Sequence, residues 1–331
     1  MSDTTNDLDT GWQVASEPHA DLTVWAERGG RVFATAAWGT VVRTLGAEAQ
    51  FAWHAARGIG AVVPIFRRLG LRVGFLGFPV AGVDFDALDG HELARCAAGI
   101  AAAARLDVVR TTQSMRMQIE GTAISGRPEV WIEDLQHWQL DAHKRLRKDL
   151  AFAYRSAPAL ELVQRGFDAF ACFELYLATV MRHRGQQRYA AAYFAALQAL
   201  AQKSDLLGFF AALEGMTLKG FAVVALHGGV AHYLHGAVDA AGRRQGVSDV
   251  LLERLVAFGR DAGATCFNLM ASPWEQPGLQ QFKQKWGDTA GLSVTFDHAG
   301  SLAGRGAVLA SRWQRRHDWR QAASFVARRE E

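Results

Sequence analysis

The sequence contains little cysteine and no long apolar run, and each shortage excludes a class of protein. Its 331 residues include three cysteines, Cys96, Cys172 and Cys266, whose spacing fits neither a metal site nor a disulfide framework. The most apolar run, residues 96–104, reaches about half the length of a membrane span before Arg105. The N-terminus is polar and acidic, without the apolar core of a signal peptide. We therefore expect a soluble cytoplasmic protein with no metal ion and no transmembrane segment.

Lysine is missing from the first part of the chain, and the charge is divided unevenly. Residues 1–135 contain 12 arginines, no lysine and 16 acidic residues, a net charge of −4. Residues 136–331 contain 24 basic and 17 acidic residues, a net charge of +7. This surplus is too small to predict non-specific binding to DNA, so no DNA partner is expected. It suits a diphosphate, a nucleotide tail or the end of a tRNA.

Strand and helix patterns alternate along the chain, which predicts the α/β class. At roughly 150 residues per domain, the length favours two domains, which we place at residues 1–135 and 136–331, the second ending in a basic helix. A linker is predicted at 120–128. In the second half the pattern predicts strands at 207–213, 221–226 and 230–237, a helix at 249–262 and a buried strand at 264–270.

The segment between the third of these strands and the following helix is the strongest candidate for a ligand site. We expect a polar loop at residues 239–246, in which Gly246 allows the backbone to turn and to approach a ligand closely. The helix that begins near Ser248 offers unpaired N–H groups and the positive end of its dipole. Arg243 and Arg244 add positive charge. The sequence therefore predicts an anion site here.

This segment resembles the pyrophosphate loop of the GNAT superfamily of acyltransferases, whose pattern is Gln/Arg-x-x-Gly-x-Gly/Ala. Arg243 and Gly246 match the pattern, whereas Ser248 stands in place of the last small residue. The order strand, loop, helix, strand, helix also follows the superfamily. The resemblance implies that acetyl-CoA or another acyl-CoA is the co-substrate. The loop residues that would bind it are Arg243, Arg244, Gly246, Val247 and Ser248.

A second motif lies near the end of the chain. Residues 278–287 read Gly-Leu-Gln-Gln-Phe-Lys-Gln-Lys-Trp-Gly, which is similar to the Gly-Leu-x-x-Phe-Lys-x-x-Phe-Gly signature of FemAB-like transferases, with Trp286 in place of Phe. Segments 33–38, 78–79 and 182–185 also resemble this group, so the resemblance covers roughly residues 20–298. Within the group the sequence looks most like the CelD/BcsL-type acetyltransferases. This implies two tandem GNAT-like acyl-CoA N-acyltransferase folds, with mixed central sheets flanked by helices and the working site in the second.

The implied reaction is acyl transfer from a thioester, or from an aminoacyl ester, to an amine. In this superfamily two central strands separate, and backbone N–H groups there hold the carbonyl oxygen. Here that strand is predicted at residues 230–237. Alternation places Tyr233 and His235 on one face and His232 on the other, which makes Tyr233 and His235 the candidate acid/base pair. The alternative for Tyr233 is a core aromatic residue.

The resemblance also assigns roles to three other residues near the donor. Lys283 would stabilise the reacting carbonyl or a donor phosphate, unless it is a solvated helix lysine. Phe282 would lie where many acetyltransferases carry a tyrosine that protonates the leaving thiolate, and it has no hydroxyl for that task. Asn268 would hydrogen-bond the pantetheine arm or cap the end of a strand.

Four residues are candidates for contacts with the acceptor. Glu214 and Asp239 are alternative bases or turn residues, and Arg182 and Arg184 line a groove or stabilise a helix end. The expected acceptor is the amine of a small molecule, an amino sugar or an envelope precursor, as in polysaccharide biosynthesis. Two alternatives stay open: a FemAB-like aminoacyltransferase with an aminoacyl-tRNA donor, and a non-catalytic protein of an envelope or polysaccharide pathway.

Overall fold

The computed structural model describes residues 9–76, 88, 90–115, 125–183, 185–287, 289–318 and 320–322. The described residues form two compact units, the first made of those up to 130 with 270–281 and those from 290 onward, and the second of 131–269 and 282–289. The first division lies close to the predicted boundary at 135/136. Residues 270–281 and those from 290 onward belong to the first unit and not to the second as predicted. For the last stretch the reason is that residues 292–299 of the strand Thr289–Ala299 pair with the strand Val108–Met115.

Among its described residues, the first unit contains a mixed sheet and four α-helices. Its strands follow the order β1-β2-β3-β4-β5-β12-β6, and β4 and β5 are parallel whereas the pairs β1–β2, β2–β3, β3–β4 and β5–β12 are antiparallel. The strands are β1 Trp12–Ala15, β2 Glu48–His54, β3 Ile59–Arg68, β4 Leu71–Leu76, β5 Val108–Met115, β6 Ser125–Ile132 and β12 Thr289–Ala299, and the helices are α1 Ala20–Arg28, α2 Ala36–Arg43, α3 Gly90–Ala104 and α10 Leu302–Gln314.

The core of this unit lies where α3 packs on the sheet. Ile100 of α3, Val63 of β3 and Val109 of β5 are all buried in one apolar cluster. The linker predicted at 120–128 is wrong for its second part, since Ser125 begins strand β6, whose side chains are almost all buried. The pair Phe78-Pro79, which carried part of the family resemblance, lies outside the described residues.

Apart from residues 270–271 and 277–281, which belong to the first unit, the remaining strands and α-helices of the described residues lie in the second. Strands β7, β8, β9 and β10 form an antiparallel series, and β10 pairs in parallel with β11 after a connection that contains helices. The strands are β7 Leu160–Val163, β8 Leu207–Glu214, β9 Thr217–His227, β10 Val230–Val238 and β11 Cys266–Ala271, and the helices are α4 Lys144–Ser156, α5 Ala169–Arg182, α6 Ala191–Ala201, α7 Ala240–Gln245, α8 Val247–Asp261 and α9 Pro277–Gln284.

Helix α8 fixes the geometry of the second unit. Its apolar face, which includes Val250, Leu251 and Leu255, is buried against the sheet. Gly259 allows close packing, because a Cβ atom there would come within 2.7 Å of the Cβ of Ala231 on β10. Among the described helices, none combines the length and the hydropathy that crossing a lipid bilayer requires.

Candidate acyl-transfer site

Strands β10 and β11 separate after a short parallel pairing. Only Val230 to His232 of β10 are paired with β11, at Cys266 to Asn268. Strand β10 continues to Val238 and stays paired with β9, but its other edge has no ladder partner beyond His232 among the described residues. A strand edge of this kind presents N–H and C=O groups that can pair with an extended ligand.

A β-bulge lies on β10 at the point where the strands separate. Tyr233 is opposite Val224 and His235 is opposite Val223, so Leu234 has no opposite residue on β9. The extra residue reverses the alternation of side chains, and it places His235 on the face of His232 and Tyr233 on the face of Gly236. The predicted arrangement, with Tyr233 and His235 on one face, is therefore wrong, because simple alternation assumes a regular strand.

Tyr233 lies over Gly236, on the face opposite His235. A Cβ atom at Gly236 would clash with the Tyr233 hydroxyl, which shows how closely the ring covers this residue. The hydroxyl has no hydrogen-bond partner within the described part of the chain. Burial raises the pKa of Tyr233 to about 12. Its hydroxyl therefore keeps the proton at neutral pH and can donate it.

His235 belongs to an aromatic cluster with residues of α6 and the segment before it. Its Nε2 atom is 2.8 Å from Oη of Tyr193, and the Tyr189 ring meets the imidazole edge-on with 4.7 Å between centroids. Burial lowers the pKa of His235 to about 3. The imidazole is therefore neutral at pH 7 and a weak proton acceptor, so it does not form an acid/base pair with Tyr233.

The connection from β10 to α8 differs from the loop that we predicted at 239–246. Residues Ala240–Gln245 form the short helix α7, and the Asp239 carboxylate caps it by accepting from the N–H of Gly242. Arg243 and Arg244 are exposed, and Arg243 donates from Nη1 to the Val238 carbonyl at 3.1 Å. The sequence prediction failed because six short or polar residues gave no periodic apolar signal.

Gly246 joins α7 to α8 and packs against α4. Its φ of 78° lies in the left-handed region, and a Cβ atom there would come within 2.8 Å of the Cβ of Ala153. The close approach that we predicted for a ligand is thus made by helix α4. Beyond Gly246, Val247 is fully buried and Ser248 is half-buried, and no side chain caps the start of α8. The anion site at this helix start remains a prediction.

Trp286, in the motif at the end of α9, has a structural role in the core of the second unit. Trp286 is fully buried and stacks on Trp138, with 5.9 Å between ring centroids and 16° between planes. Nε1 of Trp138 donates to the Trp286 carbonyl at 3.1 Å. Lys283 is 3% exposed, so the alternative of a solvated lysine is wrong. Phe282 is half-buried with the Lys285 ammonium 5.0 Å from its ring centroid.

The comparisons with known proteins agree with this geometry. Residues 141–284, which contain every element from α4 to α9, match the family model described as an acetyltransferase (GNAT) domain. This match supports the assignment of residues 141–284 to the GNAT acyltransferases. No curated protein matches it. The enzyme class and the mixed α/β fold expected from the sequence are both confirmed.

Solved structures share the GNAT-type fold over most of the chain. FemX is 15% identical with a TM-score of 0.59, and the match covers 84% of this chain and 94% of FemX. The C-terminal domain of a putative lysylphosphatidylglycerol synthetase from Agrobacterium fabrum is 15% identical with a TM-score of 0.53, covering 88% and 96%. L-PGS from Bacillus licheniformis is 16% identical with a TM-score of 0.51, covering 89% and 97%. At these identities the likeness shows the fold alone.

Lys285, which directly follows the matched stretch, makes an ion-pair network that the sequence analysis missed. Its Nζ atom is 2.9 Å from Oδ2 of Asp149 on α4 and 2.8 Å from Oδ1 of Asp249 on α8. Burial raises the pKa of the Asp249 carboxyl, and the hydrogen bond and charge of Lys285 oppose that rise. The available signal was Asp249 itself, which directly precedes the apolar run of residues 250–252. An aspartate that is buried with such a run requires a cation as its partner.

The remaining predicted residues of the GNAT domain occupy different places. Asn268 is fully buried on β11, opposite His232. Glu214 forms an ion pair with Lys219 at 3.0 Å across the β8–β9 hairpin, and Asp239 donates its backbone N–H to the Lys219 carbonyl. Arg182 is exposed at the end of α5, and Arg184 lies outside the described residues. Within the described part of the chain, no cluster of acidic, histidine or cysteine side chains could hold a metal ion.

Proposed function

We propose that the second unit transfers an acyl group from acyl-CoA to an amine on a small molecule, an amino sugar or an envelope precursor. The observation that supports this proposal is the bulge on β10 at the point where β11 separates from it. An extended donor arm with amide groups, such as pantetheine, can pair with that strand edge. N–H groups at the bulge then donate to the thioester carbonyl oxygen as it becomes negative.

Direct attack by the amine accounts for the chemistry without a covalent enzyme intermediate. The amine nitrogen forms a bond to the thioester carbon, the C–S bond breaks, and the amine loses a proton to water. Tyr233, which is protonated at neutral pH, donates its hydroxyl proton to the thiolate as the C–S bond breaks and regains a proton from water. This assignment gives Tyr233 the acid role that Phe282 cannot fill.

The other residues support donor binding or shape the site. Arg243 and Arg244, together with the start of α8 at Val247 and Ser248, would attract the donor phosphates. Lys283, buried beside Phe282, would favour the developing negative charge. His235 hydrogen-bonds Tyr193 on the face of β10 opposite Tyr233, where it has a structural role and does not exchange protons with the substrate.

The test is release of free CoA thiol from acetyl-CoA and longer acyl-CoAs in the presence of a panel of amines. We expect amine-dependent release, and a loss of about 100-fold or more in kcat for Tyr233→Phe. Tyr154→Phe is the matched control, because Tyr154 is an exposed residue of α4 that hydrogen-bonds Glu253. Absence of both binding and turnover with every acyl-CoA would overturn the proposal.

A second donor, aminoacyl-tRNA, is favoured by the basic surface of α4. Lys144, Arg145, Arg147 and Lys148 are exposed on the helix that packs against Gly246. A polyanion bound there would depend steeply on salt. Replacing the four residues with glutamine should then weaken tRNA binding and flatten its salt dependence. Equal binding by the quadruple variant, or no tRNA binding, would exclude this donor.

A further inference from the structure

A cavity of about 600 Å³ lies entirely within the first unit, in which no reaction has been placed above. Helices α3 and α10 and strands β5 and β12 contribute its walls. Most of its lining is apolar, with buried Leu93, Ala97 and Val308. Leu309 also lines it and is 65% exposed, so this side chain marks the mouth of the cavity. A volume of this size accommodates a small ligand.

The charges around the cavity are not balanced. The Asp297 side chain is 1% exposed, and both of its oxygens accept from Arg110, from Nε and Nη2, each at 2.6 Å. This bidentate pair neutralises the one acidic residue of the lining. Arg305 and Arg312 also line the cavity, and neither has an acidic partner in the part of the chain that the structure describes.

Arg312 gives the most direct sign of a ligand. Its Nε atom is buried and has no hydrogen-bond partner among the described residues. A buried N–H donor without an acceptor is uncommon in proteins, and an anionic oxygen would satisfy it and neutralise the guanidinium charge. Ser311 anchors the same helical turn, because its Oγ accepts from Nη2 of Arg110 at 3.1 Å.

We propose that this cavity binds an amphiphilic anion, with a phosphate or carboxylate head at Arg312 and Arg305 and an apolar chain along Leu93, Ala97 and Val308. The lining matches both parts of such a molecule. An uncharged chain would leave Arg312 without an acceptor, and a small anion without a chain would make no contact with the apolar wall. The site is separate from the proposed acyl-transfer reaction, and its failure would leave that proposal unaffected.

Isothermal titration with octyl phosphate tests the site, with 1-octanol and inorganic phosphate as the two half-ligands. We expect octyl phosphate to bind at least tenfold more tightly than either. Arg312→Gln should weaken octyl phosphate about tenfold and leave 1-octanol unchanged. Arg316→Gln, which removes the same charge from a residue outside the lining that lies over Trp313, should change neither.

Ala94→Phe provides a second test should Arg312→Gln fail to fold. Ala94 lines the cavity and is exposed, so a phenyl ring there should fill the mouth and abolish binding while thermal unfolding is unchanged. If vesicles of phosphatidylglycerol compete with octyl phosphate and vesicles of phosphatidylcholine do not, the natural ligand is a membrane lipid. If octyl phosphate binds and neither kind of vesicle competes, the natural ligand is a soluble anion. No binding of octyl phosphate, or an equal loss with Arg316→Gln, would overturn the proposal.

Discussion

Replacing Lys285 with methionine is expected to destabilise the second unit by about 3 kcal/mol at pH 7. Breaking a buried ion pair on one side costs about 3–5 kcal/mol, because it leaves an uncompensated charge. The Lys285 and Asp249 side chains are 11% and 10% exposed, but Asp149 is 38% exposed, which places the value at the lower end. Urea unfolding followed by circular dichroism would measure it.

The pH dependence separates this cause from a simple loss of packing. Without Lys285, the folded-state pKa of Asp249 rises further above its unfolded value, because only Lys285 and the weaker Trp286 contact hold it down. A carboxyl pKa that is raised in the folded state costs no stability below the unfolded pKa, and the cost grows with pH until the folded pKa is passed. The deficit of Lys285→Met should therefore shrink as the pH falls from 7 towards the unfolded pKa of an aspartate, about 4. The double variant with Asp249→Asn should recover at least about 1 kcal/mol and lose this pH dependence. A loss under about 1 kcal/mol for Lys285→Met, or no recovery in the double variant, would refute the reasoning.

Three further predictions concern the strand and its connection to α8. Gly246→Ala should lower the free energy of unfolding by about 1–3 kcal/mol, because φ at this position is positive and the added Cβ would clash with Ala153. Ala153→Gly should restore part of this loss, as measured by urea titration. Additive effects of the two changes on the free energy of unfolding would contradict the prediction. Since His235 has a folded pKa of about 3 against about 6.5 unfolded, it should contribute up to about 1.4 kcal/mol of destabilisation per pH unit as the pH falls from 6.5 towards 3. His232, whose pKa burial also lowers to about 3, should contribute as much. His235→Gln should therefore reduce the combined slope by about half, and an unchanged slope would show that the imidazole is not buried as neutral. Gly236→Ala should displace the Tyr233 hydroxyl and lower kcat with little change in thermal unfolding, and full activity in this variant would count against Tyr233 as the acid.

Regular periodicity predicted the elements that position the site. The helix at 249–262 and the strands at 207–213, 221–226 and 230–237 agree with α8 and with β8, β9 and β10 within a few residues. In these segments local pattern and tertiary burial favour the same structure, so the sequence alone was informative. The family motif at 278–287 likewise located Trp286, although not its stacking partner Trp138.

The features that the sequence did not reveal depend on contacts between distant segments. The bulge at Leu234 is an irregularity of pairing with β9, and alternation along one strand cannot detect it. The partner of Gly246 is Ala153, 93 positions earlier in the numbering of the chain. The ion pairs of Lys285 were missed because its two aspartates lie on separate helices. Each miss is a tertiary contact that local propensity does not encode.

Hydrogen exchange of β10 with and without acetyl-CoA tests the central claim most directly, since binding along the open edge must protect the backbone amides there. Strand β10 can be followed as a peptide over residues 230–238, with a peptide of β3 in the first unit as the internal control. The account predicts slower exchange at residues 233–236 when acetyl-CoA is present and no change in β3. Unchanged exchange in β10 at saturating acetyl-CoA, or protection confined to the first unit, would contradict it.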